Sequence, residues 1–188
     1  MLKVDTSGNW SSIVAEPSHQ HPRMSVDEFL VWDDGTDTRY ELADGEIRAM
    51  AAPDSPHRTI LINLGGEIRQ RLRGRTPRRA EAEAAVRISD ETLWQADLVV
   101  TCGPISKEVV EPQLIIEIQS PSTRRIDLGE KLDDYNQLPS VQEIWMVDSV
   151  RRRVQVWRRS GESWRAKIMS AAASSGARRL AASRSSWT

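Results

Sequence analysis

The stretch Leu114-Ile115-Ile116-Glu117-Ile118-Gln119-Ser120-Pro121-Ser122-Thr123 decides how this chain is read. Aliphatic residues flank one carboxylate, Glu117, and the run closes in a polar turn. Such a run predicts a strand inside a sheet. An ionised Glu there forfeits hydration worth several kcal/mol unless something replaces it. A metal ion, an arginine or a shifted pKa would do so. Upstream, a second acid, Asp97, opens another apolar run, Asp97-Leu98-Val99-Val100.

Side chains of an extended segment alternate faces. Leu114, Ile116 and Ile118 then point one way, and Ile115, Glu117 and Gln119 the other. Asp97 shares a face with Val99 and Thr101 on the same rule. If the two strands are neighbours, both acids fall within reach of one ion. Two carboxylates that close repel, and one would hold a proton. A divalent cation removes the conflict. Oxygen ligands without clustered Cys or His favour magnesium or manganese over zinc.

Further elements follow on either side. Downstream, Asp127-Leu128-Gly129-Glu130 reads as a capping box opening a helix to about Leu138, with Leu128, Leu132 and Tyr135 as its buried stripe and Pro139 as its stop. Glu143–Val147 and Arg153–Arg158 are the last clear strands. Upstream, Ala82–Ile88 alternates as a strand, with Ala82, Ala84, Val86 and Ile88 on one side. Ser55-Pro56 marks a helix start, with Ser55 as N-cap. Ile60, Leu61, Leu64, Ile68 and Leu72 share its apolar face, and Gly74 ends it. Asp44-Gly45 between Arg39–Leu42 and Glu46–Met50 signals a hairpin. Ser25-Val26-Asp27-Glu28 is another capping box, for a short helix to about Trp32. The order is a mixed α/β layer arrangement.

Composition sets bounds on this picture. A chain of 188 residues, 39% hydrophobic and 28% charged, fits one ordinary domain. No apolar stretch approaches the roughly 20 residues of a membrane helix. Met1-Leu2-Lys3-Val4-Asp5 has no apolar leader core, and Cys102 is a lone cysteine, so a cytoplasmic protein is expected. Residues 1–23 read as a flexible segment, 24–168 as the domain, and 169–188, rich in Ala, Ser and Arg, as a disordered tail. The net charge of -1 hides two arginine clusters, one in 68–79 that includes Arg69, Arg71 and Arg73, the other in 151–159. Each suits phosphate, or simply a solvated surface.

Other residues carry two readings each. Lys131, with Tyr135 four residues on along the same face, can reach over the carboxylates toward a phosphate, or pair at the surface with Asp127 or Asp134. Glu41 either pairs with an arginine or joins a metal shell. His57 reads as an exposed histidine at a helix start. Gln119 either orients a water or closes its strand against the turn. Ser120, Ser122 and Thr123 offer hydroxyls or merely build that turn.

The ordered blocks Tyr40-Glu41-Leu42-Ala43-Asp44-Gly45-Glu46, His57, Ala96-Asp97-Leu98-Val99-Val100, Ile116-Glu117-Ile118-Gln119-Ser120-Pro121-Ser122-Thr123, Lys131-Leu132-Asp133-Asp134-Tyr135 and Glu143-Ile144-Trp145-Met146-Val147-Asp148 resemble the Uma2 family of the PD-(D/E)xK nuclease superfamily. The resemblance spans roughly Met24 to Lys167. It implies a restriction-endonuclease-like core: a mixed central sheet flanked by helices, with an N-terminal β-hairpin. It implies a divalent-metal-dependent endonuclease that hydrolyses DNA, with Asp97 and Glu117 as metal ligands holding Mg2+ or Mn2+. Lys131 and Glu41 complete the catalytic set, and Gln119, Tyr135 and His57 are accessory. Arg69, Arg71 and Arg73 would draw the DNA backbone, and a homodimer would suit cleavage of two strands. The alternative is a catalytically inactive nucleic-acid- or protein-binding module on the same scaffold. Ala96 stands where the family has proline, and Gln119 where the superfamily has lysine. Past the Trp164 region the family continues with an aliphatic strand and an acidic, leucine-containing end, and Ser170–Thr188 has neither.

Overall fold

A computed structural model of the chain describes residues 23–121 and 126–170, with the backbone of 3–4 and 10–11. In it, the Glu117 stretch lies near the middle of an eight-stranded sheet. Two short strands, β1 (Lys3–Val4) and β2 (Trp10–Ser11), pair with each other as a separate two-stranded sheet. The rest of the expected N-terminal lead-in lies outside the described residues, as do residues 171–188 of the expected tail.

The chain then runs α1 (Val26–Phe29), β3 (Tyr40–Ala43), β4 (Glu46–Ala49), α2 (Ser55–Arg71), β5 (Arg79–Arg87), β6 (Leu93–Thr101), β7 (Pro112–Gln119), a π-helical turn (Asp127–Lys131) leading into α3 (Leu132–Gln137), β8 (Glu143–Asp148), β9 (Arg153–Ser160) and β10 (Ser163–Ser170). The sheet order is β10-β9-β8-β7-β6-β3-β4, with β5 paired along β6. Among the described strands only β7 and β8 pair in parallel, and the crossover between them carries α3.

Local chemistry explains most of these elements. Ser25 and Glu28 form the expected capping box of α1, which is only one turn long. Asp44 (φ 49°) and Gly45 (φ 77°) make the tight turn of the β3–β4 hairpin, the left-handed pair such a turn requires. Asp54, not Ser55, caps α2: its carboxylate accepts the amide of His57 at 2.9 Å, and Ser55 is the first helical residue. Leu72 ends α2, two residues before Gly74 (φ 73°). The sequence predicts a box with Asp127 as its cap, but the N-cap position falls at Ile126. Ile126 precedes a π-helical turn with helical dihedrals and no side-chain cap.

The sheet buries both faces, which is why β7 reads as a continuous apolar run. One face packs Trp94, Ile115, Ile144 and Met146 against Leu132 and Tyr135 of α3. The other packs Leu98, Leu114, Ile116 and Ile118 against Ile68 of α2, with Ile60, Leu61, Leu64 and Leu72 beside it. Face alternation fails at one place. Trp94 and Ala96 lie in the first core and Leu98 and Val100 in the second, although all four have even numbers. The same reversal occurs on β5: Ala84, Val86 and Ile88 pack on the first core as predicted, while Ala82 pairs with Leu98 of the second core and Ala80 packs there too, so the single-sided series breaks only at Ala82. The ladder pairs Ala82 with Leu98 and Ala84 with Ala96, skipping Glu83 and Asp97, and Glu83 has φ 52°. A left-handed residue between two extended neighbours turns the strand over.

The chain also forms β10, a strand absent from the sequence reading. Met169 and Ser170 pair with Val154 and Arg153 instead of starting a tail.

Candidate active site

The second long edge of β6 is shared. Leu93 bridges Leu42 of β3, while Leu98 to Thr101 pair with β7. Between them β3 and β7 diverge, and the backbone of Gln95 to Asp97 faces a fork with no strand partner on that edge. Buried peptide groups must still be satisfied. Side chains do this here. The Gln95 amide donates to Glu41 Oε1 at 3.0 Å, and its carbonyl accepts from Lys131 Nζ at 3.3 Å. Asp97 Oδ2 accepts the amide of Ile118 at 2.6 Å.

The fork therefore gathers the predicted catalytic set. Glu41 comes from β3, Asp97 from β6, Glu117 from β7, and Lys131 and Tyr135 from the crossover. Lys131 Nζ lies 2.5 Å from Glu41 Oε1 and 3.5 Å from Glu117 Oε1. The Tyr135 hydroxyl donates to Glu117 Oε1 at 2.6 Å. Lys131 is 4% exposed and Glu117 2%. At that depth an isolated ammonium would be untenable, and the two carboxylates are what permit it. The indole of Trp94 adds its face 5.6 Å from Nζ. Lys131 is thus neither at the surface nor paired with Asp134, and Glu41 is bound to a lysine, not an arginine. Asp134 instead accepts from Trp94 Nε1 at 2.7 Å. Burial raises the Asp134 pKa, only partly opposed by that bond, with Asp44, Asp133 and Glu130 adding repulsion.

His57 corrects the sequence reading most sharply. It is not exposed: its Nε2 stands 3.0 Å from Asp97 Oδ1, with the imidazole 12% exposed. The Asp54 cap anchors the first turn of α2 that carries it. Asp97 is thus held from two sides, by His57 and by the Ile118 amide. Spacing alone could not show this, because α2 reaches the site from the other face of the sheet.

Both acids open onto one cavity of about 120 Å³, shared with His57, Lys131, Ile118 and Ser120. Gln119 is buried but does not line it, and its carbonyl accepts the amide of Ser149, closing the strand. Ser122 and Thr123 lie outside the described residues. Arg69, Arg71 and Arg73 are exposed at the far end of α2. At about 1.5 Å per residue, Arg69 is roughly 18 Å along the axis from His57. Arg71 pairs with Glu67. In the second cluster Arg159 holds the carbonyls of Asn136, Leu138 and Val141. It also stacks on Trp164, 4.5 Å from the ring centre.

The donor set fits a hard divalent cation. Magnesium takes one or two carboxylates and keeps several waters. Asp97 and Glu117 supply carboxylates at a cavity with room for water. Among the described residues no group of three or more His, Cys, Asp or Glu is placed to hold a metal. No described helix is long and apolar enough to cross a membrane.

Known proteins give the same outline. Two uncharacterized proteins of Synechocystis are similar: one is 26% identical over 155 residues, covering 80% of this chain and 82% of its own. The other is 23% identical over 153 residues, covering 74% and 82%. A crystal structure from Anabaena variabilis, titled as a "putative nuclease belonging to DUF820", superposes with a TM-score of 0.65 at 21% identity. That match covers 79% of this chain and 85% of the other, and it bears on the fold alone. The family model Uma2, described as "Putative restriction endonuclease", matches residues 26–180. With the nuclease-like sheet and these blocks in order, the chain belongs to the Uma2 family of restriction-endonuclease-like proteins.

Proposed function

We propose that this chain is a divalent-metal-dependent endonuclease that hydrolyses DNA phosphodiester bonds. The observation that carries the proposal is the meeting of Asp97 and Glu117, from adjacent strands, at one cavity beside the buried Lys131. Asp97 and Glu117 would hold Mg2+ or Mn2+, with the Ile118 carbonyl as a further oxygen. When bound, the cation would lower the pKa of a coordinated water and offset charge on the phosphate.

The chain's own groups do the rest. His57 and the Ile118 amide fix the Asp97 carboxylate, so it need not reorganise when substrate arrives. Tyr135 does the same for Glu117. Lys131 holds Glu41 and Glu117 together and leaves the cluster one negative charge short of full repulsion. The test is nicking of a supercoiled plasmid. Cleavage is expected with magnesium, and is lost with EDTA and in Asp97→Ala. Cleavage that survives both treatments would exclude this site.

One observation favours a second reading. Each carboxylate already has a protein partner, as a scaffold that binds without cutting would keep them. Salt-sensitive DNA binding with no hydrolysis in magnesium or manganese would establish that alternative.

A further inference from the structure

We infer that Arg39 is a phosphate-binding residue of this site, held in reserve by Glu83. The inference rests on the nuclease reading for its ligand, a phosphodiester, and on three separate observations for its placement.

The first is charge. Among the described residues lining the cavity, only Arg39 and Lys131 carry a permanent positive charge. Lys131 is committed to Glu41 and Glu117 and almost sealed from solvent. With Asp97 and Glu117 on the wall, a phosphate would enter a field dominated by carboxylates. It needs a cation that can turn toward it, and Arg39 has a side chain 40% exposed. A guanidinium also matches phosphate oxygens with a planar fork.

The second is position. Arg39 directly precedes β3, and its carbonyl accepts the amide of Met50, another cavity residue, at 2.8 Å. The hairpin thus anchors the backbone of Arg39 beside the cavity it lines, so the reach of its side chain is set, among the described residues, by its ion pair alone.

The third is the partner. Arg39 Nη1 lies 2.5 Å from Glu83 Oε1, with both side chains somewhat less than half exposed. Glu83 is the left-handed residue across from Asp97, where the β5–β6 ladder skips a pair. A non-glycine residue in that conformation is strained and is retained where surrounding structure demands it. Here the kink puts a carboxylate within reach of the cavity's only guanidinium among the described residues. An exposed pair of this kind is weak. A phosphodiester, charged and approaching in a less hydrated cleft, competes with it readily.

The test uses the full chain, a fluorescent DNA oligonucleotide and calcium in place of magnesium, with magnesium cleavage measured in parallel. Arg39→Ala is expected to weaken binding roughly 10-fold or more, and Arg39→Lys to recover part of it. Glu83→Gln is expected to tighten binding a few-fold. A folding defect cannot produce opposite signs at the two positions. Wild-type protein that binds through Arg39 but never cleaves keeps this inference and overturns the nuclease reading. Wild-type protein that cleaves while Arg39→Ala binds and cleaves equally well overturns this inference alone. Equal binding by all variants, or no binding by wild type, also overturns it.

Discussion

Asp134 shows how one side chain can work against the fold it sits in. Burial raises its pKa, opposed only in part by the hydrogen bond from Trp94, so the folded protein holds its proton to higher pH than the unfolded chain does. Below the ordinary Asp range both states are protonated and there is no penalty. As pH rises through the folded pKa, the carboxyl must ionise while half-buried, and stability falls. Asp134→Asn keeps an acceptor for the indole and removes that penalty. Its melting temperature should exceed wild type at pH 7, and the gain should vanish as the pH drops through the ordinary Asp range. Lys131 presents the converse case. Lys131→Met leaves Glu41 and Glu117 buried without their cation, and should cost about 3–5 kcal/mol by urea denaturation. A loss below about 1 kcal/mol would show that the acids are not charged together. The types of these residues were legible from their places in the ordered blocks. That His57 serves Asp97 was not, because the two are 40 residues apart and belong to different elements.

Among the elements, α2 matters most to the site, since its first turn delivers His57. The capping oxygen belongs to Asp54. Asp54→Ala should therefore cost about 1 kcal/mol of stability. It should also lower cleavage, because fraying of that turn loosens the 3.0 Å contact to Asp97. Ser55→Ala should change stability by less than about 0.5 kcal/mol. Equal losses from the two variants would return the cap to Ser55. The sequence placed this helix and its apolar face correctly and missed its cap by one residue, since Asp and Ser are comparable caps. It missed β10 for a different reason. That strand lies at the sheet edge and exposes both faces, with Ile168 and Met169 in solvent, so it has no clean alternation to read. It also extended alternation through Asp97, where the left-handed Glu83 breaks the rule.

Among the described residues, the two larger cores lie on opposite faces of the eight-stranded sheet, with the acids at the fork in it. A cation bound there would tie β6 to β7 and stabilise only the folded chain. Magnesium at about 100 times its dissociation constant should add roughly 2.7 kcal/mol to the unfolding free energy. Calorimetry should show the resulting rise in melting temperature for wild type, and none for Asp97→Asn. A rise that persists in the variant would place the ion elsewhere. Hydrophobic periodicity and turn residues were enough to give the layer class, the hairpin and the long helix, because each depends on neighbours within a few positions, while it was the family resemblance of the ordered blocks that singled out Glu41, Asp97, Glu117 and Lys131 together. Folding in three dimensions alone set the fork in β6, the reach of His57 across from α2, the sealing of Lys131 between two carboxylates and the separation of Arg69 from the cavity. Those depend on which strands lie side by side and where a ladder stops, and local sequence carries no record of either.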